Sequence, residues 1–318
     1  MSPVLRYSII IVGVVAAALA MAAGLIYAER RLLALWQERY GPNRTGPFGL
    51  LQVVADIIKI MTKENWIPPF ADRAVFVVAP AIMIVAVLMP FSVLVFAPGI
   101  AVSDLNIGLL FFLAMSSLAV YAVALGGWAS NSKFSLIGSL RAVAQMISYE
   151  VFMGLSLAGV VVLAGSFRLG DIVEAQRGLW FCIPQLPGLL LFSVAALAET
   201  RRVPFDLSEA DSELVAGYHT EYSGMKFAMF YLGEYLGIAL IAALMVSLFF
   251  GGWLGPVLPP LLWFLIKTIA LLALLILIRG SLPRPRFDQL MALGWKLMLP
   301  LSLLNLLATG ALVLARSS

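Results

Sequence analysis

The chain has 318 residues, 62% hydrophobic and only 12% charged, with a formal net charge of +4; soluble domains carry about 25% charged residues, so the composition excludes an ordinary soluble protein. A single cysteine, Cys182, and a single histidine, His219, exclude an intrachain disulfide, an iron–sulfur cluster on about four thiolates, a bis-histidine haem and a zinc site of Cys and His alone. No Gly-x-Gly-x-x-Gly or Walker loop occurs, so nucleotide binding has no support and any redox centre belongs to a partner or a diffusible molecule.

Apolar runs long enough to cross a hydrocarbon core of about 30 Å as helices recur near 8–28, 74–97, 105–127, 144–165, 184–200, 226–250, 257–279 and 291–314. The expected fold is all-α, a polytopic membrane protein with eight transmembrane helices in a single integral membrane domain over 1–318. Strand-type alternation is absent, which argues against a barrel. The first run follows one basic residue, Arg6, as a signal peptide would, but its length and the Glu29-Arg30-Arg31 that follows favour a retained helix. Fifteen of the 21 Lys and Arg fall in or beside the loops after spans one, three, five and seven; Arg6, Arg168, Arg177 and Arg316 are on the other face, and Lys267 and Lys296 lie within spans. Positive residues stay inside, so those loops are expected in the cytoplasm and both termini outside.

The first cytoplasmic loop, 29–73, turns at Gly41-Pro42-Asn43 and Gly46-Pro47. From Phe48 to Glu64 helical periodicity returns, with Gln52, Asp56, Lys59 and Lys63 in one polar stripe and Leu50, Leu51, Val54, Ile57, Ile58 and Met61 around the rest. This spacing predicts an amphipathic helix at the membrane interface. It reads either as a surface stabiliser or as the wall of a lipid-side opening that admits an amphiphile.

Glu150 and Glu234 fall within the fourth and sixth spans, and Glu29 and Glu199 at the cytoplasmic ends of the first and fifth. A carboxylate at the bilayer centre costs on the order of 3 kcal/mol, so these groups should face a cavity or a partner. They read as a proton relay or as ion-pair locks between helices. Gly233 and Gly237 fit close helix approach beside Glu234. Lys267 and Lys296 either snorkel to an interface or neutralise a glutamate, snorkelling being favoured for Lys296 beside Trp295.

The second cytoplasmic loop, 199–225, is acid-rich: six of the 17 carboxylates lie between Glu199 and Glu221. Pro204 should stop the fifth helix. Asp206 with Glu209 suggests a capping box that opens a short helix with Asp206, Glu209 and Glu213 on one face and Gly217 as terminator. The like charges call for protonation or for Arg201 and Arg202. His219 is a weaker candidate titrating group.

The motifs Glu29-Arg-Arg-Leu-Leu, Arg39-Tyr-Gly-Pro-Asn-Arg44, Leu51-Gln-x-x-Ala-Asp-x-x-Lys59, Ser148-Tyr-Glu150, Ala198-Glu-Thr-x-Arg-x-Pro-Phe-Asp206, Glu213-Leu-Val-x-Gly217, Glu221-Tyr-Ser-Gly224 and Leu282-Pro-Arg-x-Arg-x-Asp-Gln-Leu-Met-x-x-Gly-Trp-Lys296 together resemble one family. It is that of the membrane subunit designated H of bacterial NADH:quinone oxidoreductase (respiratory complex I), counterpart of mitochondrial NADH dehydrogenase subunit one. The resemblance runs over nearly the whole chain. It implies an eight-helix subunit at the heel of an L-shaped assembly in the bacterial inner membrane, anchoring the peripheral arm and forming much of the quinone chamber.

It further implies that quinone is the substrate, that this chain binds no metal or redox cofactor of its own, and that NADH, FMN and iron–sulfur clusters sit on partner subunits. The implied partners are the peripheral quinone-site and terminal iron–sulfur subunits, small membrane subunits, antiporter-like subunits and lipid, with no nucleic acid. Carried over, Glu29, Glu150, Glu199, Asp206, Glu209, Glu213, Glu221 and Glu234 would couple protons, and Arg30, Arg39, Arg44, Asp56, Arg202 and Phe205 would line the chamber or its entrance. Two other readings are a homologous subunit of a membrane-bound hydrogenase and a stand-alone proton-linked transporter. On the first reading, Glu150→Gln and Glu213→Gln should lower quinone-linked NADH oxidation while artificial acceptors are still reduced; full quinone reduction and pumping in both variants would contradict it.

Overall fold

Hydrocarbon offers no partner to a free N–H or C=O, so spanning segments satisfy their backbones internally as helices. The computed structural model describes residues 3–208 and 214–317. Its helices are α1 (Pro3–Trp36), α2 (Gln52–Thr62), α3 (Arg73–Leu88), α4 (Gly108–Ala129), α5 (Lys133–Ala164), α6 (Leu169–Glu174), α7 (Leu186–Glu199), α8 (Gly224–Phe249), α9 (Pro260–Ser281), α10 (Phe287–Leu293) and α11 (Leu299–Ser317). A π turn, Gly294–Met298, joins the last two into one span. Among the described residues seven segments are long and apolar enough to cross a membrane, and the chain is an all-α, multi-pass membrane protein.

The fifth expected span, α7, has 14 residues and rises about 21 Å, short of the roughly 30 Å core. Pro184 lies just before its start, and Pro187 sits in its first turn, where a missing N–H is tolerated. Leu191, Phe192, Ala195, Ala196 and Ala198 are buried while Leu186 and Leu190 are exposed, so protein walls the end of this helix and leaves its start open. Just before it, buried Gln185 donates to Thr309 Oγ1 at 2.5 Å and accepts from Asn305 Nδ2 at 3.0 Å, which fixes its depth against α11.

Two other helices exceed expectation. Glu-Arg-Arg-Leu-Leu-Ala-Leu-Trp continues α1 to Trp36, and α5 begins at Lys133 rather than near 144. Nothing in 133–143 breaks a helix, and this turn packs on the second loop. Ser135 Oγ donates to the Tyr218 carbonyl at 2.8 Å, and a Cβ on Gly138 would sit 2.6 Å from Gly217 Cα.

The most enclosed span is α8, whose second half from Ile238 to Phe249 is buried throughout. Gly233 lets it reach α3, since a Cβ there would be 2.8 Å from Met83 Cγ. The π turn follows a similar constraint: Gly294 leaves room for Phe152, and Tyr149 OH reaches the Leu290 carbonyl at 2.9 Å. Outside the bundle, α2 spans the expected amphipathic segment. Its apolar Val54, Ile57, Ile58 and Met61 are exposed.

The end of the bundle away from the two long loops is held by polar side chains. Gln176 donates to the Ser247 carbonyl at 2.8 Å and accepts from Gly251 N at 2.9 Å, and Arg168 pairs with Asp104 at 2.6 Å. Lys267 neither snorkels nor meets a glutamate. Its Nζ donates to the carbonyls of Phe250 at 2.7 Å, Gly252 at 3.1 Å and Leu254 at 2.6 Å, and lies 4.2 Å from the Trp180 ring centroid. All three ammonium donors are used, which ties the chain just past α8 to α9. Lys296 is exposed beside exposed Trp295. Lys267→Met removes three charge-assisted bonds and should cost on the order of 3 kcal/mol, seen as a lowered Tm of the detergent-extracted protein; an unchanged Tm would show the loop holds without it.

Candidate functional site: a buried ion cluster among cavities

Helix α7 ends at Glu199, five residues before Pro204, and Arg201 turns the chain with φ of 52°. That turn places Arg202 at the centre of a buried cluster. Arg202 Nη1 lies 3.3 and 3.2 Å from the two oxygens of Glu29 on α1, and Arg202 Nε lies 2.7 Å from Glu234 Oε1 on α8. Arg279, near the end of α9, also pairs with Glu29. The Arg202 guanidinium sits 4.2 Å from the Tyr235 ring centroid, and Tyr235 OH is 3.1 Å from Tyr231 OH. Side-chain exposures of 7% for Arg202, 9% for Glu29 and 13% for Glu234 mean that desolvation is severe, and the two acids meet it by facing two guanidiniums. A planar fork can serve two carboxylates at once; a lysine ammonium is a poor substitute.

Among the described residues four cavities touch this cluster; the smallest, about 380 Å³, lies between Glu29, Arg202, Arg279 and apolar residues of α7, α8 and α9, and the three larger ones form a series. The widest, about 930 Å³, is lined by Glu29, Arg30, Arg39, Tyr40, Tyr231 and Arg279, among others. A second, about 550 Å³, shares Tyr231 and Arg279 with the first and adds Arg202, Asp206, His219 and Glu234. A third, about 520 Å³, shares Glu234 with the second and reaches Glu199 and Ser116 between α3, α4 and α8. Beyond it Ser117 Oγ bonds to Glu150 Oε1, and Ser116 Oγ lies 3.4 Å from the same oxygen while donating its proton to the Leu113 carbonyl at 2.8 Å. The acids therefore fall in the order Glu29, Glu234, Glu199, Glu150, with cavities or hydroxyls between them.

The second loop is clamped beside this series. Asp206 pairs with Arg284 at 2.8 Å, while Arg202, which the sequence offers as its partner, is committed to Glu29 and Glu234. Arg201 lies against the Tyr218 ring, 4.8 Å from its centroid. Gln145 Nε2 donates to the carbonyls of Ala198 at 2.7 Å and Phe205 at 2.9 Å. The Phe205 side chain is buried, 6.0 Å from Tyr149 by ring centroids, and lines none of the three cavities. Arg44 is exposed and likewise outside them, and Glu221 is half-buried in the turn before α8. The capping box and acidic face drawn through Glu209 and Glu213 lie outside the described residues; Gly217 has φ of 62° and opens a short 3-10 turn, Gly217–His219.

The two long loops are also joined. Ser223 Oγ donates to the Glu64 carbonyl at 3.2 Å, Lys226 Nζ meets Asn65 Oδ1 at 2.7 Å, and Phe76 stacks on Tyr222 with centroids 4.0 Å apart. At the other end of the first loop Arg30 pairs with Asp56 at 2.5 Å, and Gln52 donates to Asp56 at 3.0 Å.

A family model described as NADH dehydrogenase matches residues 9–310. The NADH-quinone oxidoreductase subunit designated H of Methylococcus capsulatus (strain Bath) is 60% identical to this chain over 307 residues, covering 96% of this chain and 97% of that protein. The chain belongs to the family of that subunit. Within the family resemblance drawn from sequence, Glu29, Glu234 and Arg202 are brought together and Glu199 and Glu150 follow them. Arg279, Tyr231, Tyr235, Ser116 and Ser117 are participants outside the sequence motifs, and Arg284 lies in a motif without having been named as a site residue. The available signals were an arginine near the end of an otherwise nearly chargeless α9, and tyrosines one and three residues from Glu234.

Burial alone would push the Asp56 carboxyl up, but the hydrogen bonds from Gln52 and Arg30 and the positive charges of Arg30 and Lys59 outweigh it, holding Asp56 below its ordinary 3.8. A depressed carboxylate contributes stability above its unfolded value and loses it as pH falls through its folded value. Amide exchange protection of α2, corrected for intrinsic rate, should therefore fall as pH drops below 3.8 in the wild type and be flat over that range in Asp56→Asn; equal behaviour of the two would exclude this tether.

Proposed function

We propose that this chain is the membrane-arm subunit of a proton-translocating NADH:quinone oxidoreductase, forming much of the quinone chamber, anchoring the peripheral arm and coupling quinone reduction to proton movement. The observation that carries this reading is Arg202 held between Glu29 and Glu234 where the cavities meet. The widest cavity, with Arg30 and Arg39 on its rim and Tyr231 and Tyr235 on its wall, suits a polar head group. The exposed apolar side of α2 suits an amphiphile arriving from lipid. NADH, FMN and the iron–sulfur clusters would reside on partner subunits, and quinone would be the substrate.

The coupling would work through charge. Negative charge or proton demand in the widest cavity draws Arg279 and Arg202 toward it and away from Glu234. A buried carboxylate that loses its cation takes up a proton, and the third cavity leads from Glu234 toward Glu199 and, through Ser116 and Ser117, Glu150. Asp206, Glu209, Glu213 and Glu221 would supply the entry side, with Arg44, Asp56 and Phe205 shaping the chamber's approach. The loop-rich end would face the cytoplasm of a bacterium, with both termini outside the inner membrane. The relative's name favours this assignment over a hydrogenase subunit or a stand-alone transporter.

In the assembled complex, Arg202→Lys keeps the charge but loses the fork, and Glu234→Gln removes one carried carboxylate. Each should lower quinone-linked NADH oxidation by about tenfold or more, a barrier change of roughly 1.4 kcal/mol, with reduction of artificial acceptors by the peripheral arm unchanged. Wild-type quinone reduction and proton pumping in both variants would overturn the coupling role.

A further inference from the structure

His219 is the only histidine of the chain, and the coupling scheme above gives it no part. It closes the 3-10 turn that ends the acid-rich loop's described portion before α8. The ring is half-buried. It packs edge-to-face against Tyr218 at 5.0 Å and against Phe227 of α8 at 5.3 Å between centroids. From that position it lines the second cavity, together with Arg202 and Glu234. Phe227 lies seven residues before Glu234 on α8, about 10 Å nearer the loop. The cavity therefore runs from an imidazole at its loop end to the Glu234 carboxylate at its inner end.

The other polar groups of the lining do not exchange protons freely near neutral pH. Guanidiniums keep their charge there and phenols keep their proton, which sets aside Arg201, Arg202, Arg279, Tyr218 and Tyr231. Asp206 is paired with Arg284 and Glu234 with Arg202, so each takes a proton only when its cation withdraws. An imidazole ordinarily titrates near 6.5, inside the range from about pH 5 to 8. Among the described residues of this cavity, His219 is the one whose ordinary range includes neutral pH. The space also suits water. Arg202 Nη2 is buried and has no hydrogen-bond acceptor among the described residues. Water is the usual partner of such a donor, and the polar lining offers it further bonds.

We propose that His219 is the proton-loading group of the second cavity, passing protons from the loop end to Glu234. The neutral ring takes up one proton. It gives one up, through cavity water, to the Glu234 carboxylate once Arg202 is drawn away. The ring ends neutral, as it began, and only a proton has moved. This rests on the coupling role given to Arg202 and Glu234 above, and it names the group that supplies that step.

The test uses the assembled complex in native membranes. His219→Ala should lower quinone-linked NADH oxidation by about tenfold or more, with artificial-acceptor reduction unchanged. Free imidazole, which fits the space left by the ring and carries protons itself, should restore much of the lost rate, while sodium chloride at matched ionic strength should not. Should the alanine variant fail to assemble, His219→Gln fills the site and keeps a donor and an acceptor but cannot titrate. It should be slowed to a similar extent, and its ratio of rates in H2O and D2O should rise above that of the wild type as proton supply becomes limiting. A wild-type quinone-linked rate in His219→Gln overturns the proposal. So does a slowed pair of variants with no response to imidazole and an unchanged isotope ratio, which marks the ring as packing only. If Glu234→Gln is slowed while His219→Gln is not, this proposal alone falls; wild-type rates in both remove the coupling reading with it.

Discussion

The guanidinium of Arg202 is the group on which the rest of this arrangement depends. It lies in a loop between two helices, yet it is as buried as the core, and it is shared by carboxylates from α1 and α8. Without it two acids would face each other in a medium that penalises every unpaired charge. With it, and with Arg279 on the far side of Glu29, four charges sum to zero and can remain ionised between cavities. The pairing also brings α1, α8 and α9 together at one level, and that level is where the cavities converge.

The surroundings follow from holding such a cluster in place. An arginine in a loop keeps its position only if the loop is fixed, and the loop is fixed on several sides: by Gln145 on the carbonyls of Ala198 and Phe205, by Asp206 on Arg284, and by Ser135 and Gly138 on the Tyr218 turn. The short α7 belongs to the same logic. Its second half is walled by protein, so its end can stop inside the bundle and deliver Glu199 and Arg202 to buried positions. At the opposite end Lys267 and Gln176 satisfy the carbonyls and amides near the end of α8, so the polar interior opens toward one end of the bundle.

Much of this was legible in the sequence, for identifiable reasons. Membrane helices announce themselves by apolar length, so the order of the spans and the amphipathic α2 could be read directly. The intramembrane acids stood out because charge is scarce elsewhere. What could not be read was pairing. Asp206 is closer in sequence to Arg202 than Glu29 is, and local reasoning joins the first two; the fold joins Arg202 to Glu29 and gives Asp206 to Arg284. Nor does apolar length reveal that α1 and α5 run past their apolar runs; the extra turns of α5 are held by tertiary contacts of Ser135 and Gly138 with the Tyr218 turn. Phe205 illustrates the same gap: its motif suggests a lining residue, and its contacts are those of a core aromatic.

The distance along the chain between Glu29 and Arg202, 173 residues, has a consequence for biosynthesis. At roughly 5–20 residues per second, the ribosome needs about 9–35 s after making Glu29 before Arg202 exists, and longer before Arg279 does. During that interval the nascent first helix holds a carboxylate with neither of its eventual partners. The amino-terminal hairpin therefore waits in the membrane with its acid protonated or turned to the water interface, and the cluster closes only when α9 has been inserted, which makes the ion pairs a late event that seals the finished bundle.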